Sequence, residues 1–91
     1  MPEVRMQIKW PDDTTDQVYS PSSVIRDFFR EGEALSVADF EARVINALEQ
    51  ASQRVREVYG TRCTSARAES QRLQKIIRRL DDEDTVQVLE V

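Results

Sequence analysis

The residue with the most chemical potential in this chain is its only cysteine, Cys63, in the stretch Y-G-T-R-C-T-S-A from Tyr59 to Ala66. A thiol near a helix N-terminus and beside an arginine has its thiolate favoured twice, by the helix dipole and by the neighbouring charge. Such a group could act as a nucleophile or as a redox-sensitive thiol. Arg62, Ser65, Tyr59 and the hydroxyls of Ser20 and Ser22 would then share its pocket. The chain has no histidine to serve as a base. Free cysteine is also among the most buried residue types and packs as a small apolar group. Packing is therefore the competing role, and both stay open. The alkylation rate as a function of pH separates them, because a thiol titrating at or above ~8.5 is not activated.

Other chemistries are narrowed by composition. Without histidine, the usual zinc, copper and haem ligand sets are missing, as are Ser-His-Asp and Cys-His arrangements within one chain. The glycines are Gly32 and Gly60, too few for a glycine-rich phosphate loop. The acidic runs P-D-D-T-T-D and D-D-E-D lack calcium-loop spacing and read as turn and helix-stop chemistry. Tyr19-Ser20-Pro21-Ser22 places two hydroxyls at a helix start, where they cap the helix or hold an anion. No catalytic residue, metal or cofactor is expected.

Charge is unevenly placed. Residues 1–53 carry a net −5, residues 54–79 a net +6 and residues 80–91 a net −5. The basic island contains Arg54, Arg56, Arg62, Arg67, Arg72, Lys75, Arg78 and Arg79. On a helix such a face is solvated, paired with the nearby acids, or set against an acidic protein partner. Nucleic acid is not expected, since the chain is acidic overall and Tyr59 is the only aromatic residue in the island.

The elements that must position these groups follow from periodicity. Val4, Met6, Ile8 and Trp10 alternate with polar residues, which predicts a strand with one buried face. P-D-D-T-T-D connects it to a second strand through Val18 and Tyr19. S-P-S-S-V-I-R-D-F-F-R-E-G predicts a short helix, with Ser20 as cap, Pro21 in the first turn and Gly32 as the stop. E-A-L-S links it to the longest helix, which Ser36 and Asp39 start and Gly60 ends. Phe40, Val44, Leu48, Ala51, Val55 and Val58 make its apolar stripe. A third helix runs from about Cys63 or Thr64 to Leu80, ended by the four acids, whose charge opposes its dipole. T-V-Q-V-L-E-V predicts a last strand on the free edge of the first, of undetermined direction.

The expected fold is α+β in the order β-β-α-α-α-β. A small three-stranded sheet is covered on one face by a long antiparallel helical hairpin. With 91 residues the chain makes one domain, 1–91. No apolar run reaches membrane-spanning length, the N-terminus does not read as a signal peptide, and the lone cysteine suits a reducing compartment. A cytoplasmic protein is expected.

Several stretches together resemble a known family: W-P-D-D, Y-S-P-S-S-V-I, E-G-E-A-L-S-V-A-D-F and A-L-E-Q-A-S-Q-R-V-R-E-V-Y-G-T-R-C-T-S-A. They are similar to small bacterial nitrogen-starvation-response proteins of about ninety residues. Genes of that family lie in clusters with a nitrilase, a radical-SAM protein, an acetyltransferase, an AIR-synthase-like protein and a flavoprotein. The resemblance covers residues 1–66 and thins after Ala68. Asp13 stands where the family pattern has glycine. The resemblance implies a pathway, assimilation of nitrogen from nitriles or cyanide, and no particular reaction.

The leading expectation is a non-enzymatic accessory protein that binds another protein of that pathway. The alternative is a small-molecule-binding or thiol-dependent protein using Cys63. The candidate pocket or partner-binding residues are Tyr19, Ser20, Ser22, Arg54, Tyr59, Arg62 and Ser65. A homodimer formed through an exposed sheet edge or a spare apolar face is a further possibility.

Overall fold

Alternation along Val4–Lys9 forms β1, with Val4, Met6 and Ile8 buried on one face. The computed structural model describes residues 3–60 and 64–91, and of Tyr59 the backbone alone. Antiparallel β2 (Thr15–Ser20) pairs with β1 from Val4↔Ser20 to Lys9↔Thr15. The Trp10 N–H donates to the Thr14 carbonyl at 2.8 Å, and the Asp13 N–H donates to the Trp10 carbonyl at 2.9 Å. Pro11, Asp12 and Asp13 thus form a three-residue hairpin loop whose last residue is left-handed. Asp13 takes that position at φ 72°. A non-glycine residue is strained there, although aspartate tolerates it better than most. Asp13→Gly should therefore raise stability by up to about 1 kcal/mol. The exposed Lys9–Asp13 ion pair at 3.4 Å is lost in that variant but contributes little. A urea midpoint at or below that of the parent contradicts this.

Two expectations need correction. The segment after Ser20 is a single 3₁₀ turn, Ser23–Asp27, instead of an α-helix. Ser22, not Ser20, is its cap and accepts a hydrogen bond from the Val24 N–H. So short a segment, with β-branched Val24 and Ile25, gains too little from helix propagation. One turn is enough to bury Val24, Ile25 and Phe29. The expected linker is itself a strand, β3 (Ala34–Ser36), so the sheet has four strands and not three. Three residues are too few to show a period. Only their partner reveals them: Leu35 pairs with Val86 of β4 (Thr85–Glu90).

The strand order is β2-β1-β4-β3, with every neighbouring pair antiparallel. The last strand takes the free edge of β1 as expected, and its direction is now fixed. The register of β1 and β4 shifts between Gln7 and Ile8, where Leu89 is the extra residue and is exposed.

Helix α1 (Val37–Tyr59) starts where the Ser36 Oγ accepts from the Asp39 N–H and stops at left-handed Gly60. The Val37 and Ala38 N–H groups donate to the carbonyls of Asp84 and Asp82. The acidic run 81–84 therefore lies against the positive end of α1, where negative charge is favourable. Helix α2 (Thr64–Ile77) ends three residues earlier than expected, in a tightening turn through Leu80. The two helices cover one face of the sheet. One cluster gathers β1, β2, the 3₁₀ turn, both helices, β3 and β4 around Phe40.

Candidate partner-binding site on the helical hairpin

Two arrangements concentrate polar side chains. The first joins α2 to the edge of the sheet. The Arg72 guanidinium donates through Nε to Glu69 Oε1 at 2.6 Å, through Nη1 to Asp16 Oδ2 at 2.9 Å and through Nη2 to the Gln17 carbonyl at 2.8 Å. Asp16 Oδ2 also accepts from Trp10 Nε1 at 3.0 Å, and Glu69 Oε2 accepts the Tyr19 N–H at 2.7 Å. Hydrogen bonding to Glu69 and Asp16 pushes the Arg72 pKa further up against partial burial. Burial works against ionisation of Asp16, but the hydrogen bonds from Arg72 and Trp10 outweigh it and hold its pKa below the usual carboxylate value.

A depressed folded-state pKa stabilises the fold at any pH above the unfolded value, about 3.9, and that stability drains away as pH falls through the folded value. Asp16→Asn should therefore flatten the acid limb of the thermal stability profile below about pH 4. Equal acid sensitivity of variant and parent between pH 2 and 4 rules out Asp16 as a source.

The second arrangement is a groove of about 690 Å³ along the seam of α1 and α2. Leu48 and Ala66, both buried, form its floor, and Ile45, Ser52 and Ser70 are half-buried beside them. Gln53, Arg56, Arg67 and Gln71 form an exposed rim. Small residues on the seam let the helices approach, while amides and guanidinium groups stand free to donate. The groove runs towards the distal end of the hairpin. There the α1 stripe emerges from the core: Phe40, Val44, Leu48 and Ala51 are buried, Val55 is half-buried and Val58 is 57% exposed. Arg54 is exposed beside it.

The residues singled out from the sequence are dispersed in part. Ser20 and Ser22 meet, but both are buried. The Ser20 hydroxyl donates to the Ser22 carbonyl at 2.7 Å, and Ser22 caps the following turn. Tyr19 sits on the uncovered face of the sheet, with the Arg5 guanidinium 5.9 Å from its ring centroid. Ser65 and Arg54 are exposed at the distal end of the hairpin. Arg62, Cys63 and the Tyr59 side chain lie outside the described residues. Sequence reasoning missed the Asp16–Glu69–Arg72 set, since Arg72 reads as one member of a solvated basic face. The available signal was Glu69, one of two acids among eight bases in residues 54–79 and three positions before Arg72.

Among the described residues, no group of three or more potential ligands is placed to hold a metal ion, and no helix is long and apolar enough to cross a membrane. Residues 5–91 match the model of a family described as nitrogen starvation-induced protein NitG. No curated protein and no solved structure matches the chain.

Proposed function

The chain belongs to the NitG family of nitrogen starvation-induced proteins, and from that premise we propose that it is a non-enzymatic accessory protein. It binds another protein of a nitrogen-scavenging pathway, one that draws nitrogen from nitriles or cyanide. The distal half of the helical hairpin carries this reading. An apolar stripe that is core for most of α1 surfaces there at Val58, one turn from exposed Arg54, while exposed Arg56 and Arg67 line the seam groove. An exposed apolar residue on a half-hairpin that carries three exposed arginines suits a partner segment with an apolar anchor and acidic flanks. Asp12, Asp16 and Glu33 are all moved towards the ionised form by hydrogen bonds from within the fold, so these three carboxylates are not suited to act as a general acid.

The test is co-purification from nitrogen-starved cells with three proteins: the parent, Arg56→Glu/Arg67→Glu, and Val58→Asp. All changed positions are exposed, so the variants should keep parental stability within about 0.5 kcal/mol. A pathway enzyme retained by the parent should be lost or bound at least about tenfold more weakly by both variants. Equal retention by all three proteins overturns the proposal.

A further inference from the structure

Strand β2 is the longer free edge of the sheet, and three of its outward main-chain groups are held by side chains. The Trp10–Thr14 hydrogen bond at the base of the hairpin sets the ladder, so even-numbered residues of β2 face β1 with their main chain. Thr15, Gln17 and Tyr19 therefore direct their N–H and C=O groups away from the sheet. A bare row of this kind is a template for another strand. Here the Tyr19 N–H donates to Glu69 at 2.7 Å, the Gln17 carbonyl accepts from Arg72 at 2.8 Å and the Gln17 N–H donates to Asp16 Oδ1 at 2.7 Å. A carboxylate and a guanidinium from α2 thus occupy the positions that a neighbouring strand's carbonyl and amide would take. The side chains are themselves tied together, Arg72 to both Glu69 and Asp16, and Glu69 is only 9% exposed.

From this geometry we infer that β2 is a latent pairing edge for a second copy of this chain, kept shut by Glu69 and Arg72. The occupant is set by the strand itself. An antiparallel pairing of two β2 strands about a two-fold axis at Gln17 sets Tyr19 of each opposite Thr15 of the other, so that Thr15–Tyr19 of one strand pairs with the same five residues of its copy. The opposite edge, β3, has only three residues and offers no comparable template.

The test removes both locks at once, so that neither charge is left without the other. Full-length Glu69→Ala/Arg72→Ala is compared with the parent by sedimentation equilibrium and by amide exchange at Tyr19 and Gln17. The double variant should self-associate at least about tenfold more tightly than the parent. Its Tyr19 and Gln17 amides should exchange more slowly as concentration rises. Adding Gln17→Pro removes an outward donor without touching the ladder to β1 and should restore the monomer. If the double variant does not fold, Glu69→Leu/Arg72→Met, which keeps both side-chain stems and leaves neither charge alone, is read in the same way. A folded variant that stays no more associated than the parent overturns the inference. So does a dimer that survives Gln17→Pro.

Discussion

Phe40→Ala should lower the unfolding free energy by about 3–5 kcal/mol. The ring is 0% exposed, meets Trp10 edge-on with centroids 5.6 Å apart and Phe29 at 5.7 Å, and sits where α1 crosses the sheet. Removing it leaves a cavity between three elements that are separately anchored: the end of β1, the segment after the 3₁₀ turn, and α1. None can collapse into the space without giving up its own hydrogen bonds, so the loss belongs at the upper part of the range. Domains of this size are stable by about 5–15 kcal/mol, so the variant would be close to the limit of folding. With a urea slope of about 1–2 kcal/mol per molar, the midpoint should fall by roughly 2–3 M. Trp10 fluorescence follows it directly. Phe40→Leu, which keeps most of the volume, should lose under half as much. A midpoint change under about 0.5 M for the alanine variant would show that Phe40 is not the keystone of this core.

The second large effect concerns Glu69. Its carboxylate accepts the Tyr19 N–H and receives two donors of Arg72, so Glu69→Ala takes the acceptor from a main-chain donor at the sheet edge and leaves Arg72 with its bonds to Asp16 and the Gln17 carbonyl alone. Charge-assisted hydrogen bonds of this kind contribute about 1.5–3 kcal/mol. The Arg72 side chain is 40% exposed, and water recovers part of that loss. A net decrease of about 2 kcal/mol is expected. Glu69→Gln keeps an acceptor for the Tyr19 N–H and should lose only about 1 kcal/mol. Equal losses in the two variants would assign the effect to charge alone and remove the main-chain contact from the account.

How much was readable beforehand differs by element. Val4 to Trp10 alternate over three full periods, and the α1 stripe runs through some six turns. In both cases the pattern is long enough to be unambiguous, and both elements form as expected. Gly60 and Ser36 terminate α1 through chemistry that is local to them. What escaped is whatever depends on a distant partner. Leu35 becomes a strand residue because Val86 lies opposite it, fifty-one positions later. Asp82 and Asp84 look like a helix stop beside α2, yet their carbonyls serve the start of α1. Arg72 reads as solvated until Asp16 and Glu69 are seen on either side of it. Of the candidate site, the basic face and the stripe ending at Val58 were legible. The closure of the β2 edge was not, since no periodicity reports a side chain that stands in for a strand.

The placement of β4 between β1 and β3 sets a schedule for folding. The β1–β2 hairpin is local and can form as soon as its residues exist. β3 has no partner in the sheet but β4, and the first two N–H groups of α1 wait for carbonyls of residues 82 and 84. Without β4 the first eighty residues can build only the hairpin half of the sheet, with a gap where its third strand belongs. Completion of the sheet waits for β4 to enter between β1 and β3. Deleting β4 would split the sheet into a hairpin and a stranded segment, whereas deleting an outer strand would merely narrow it.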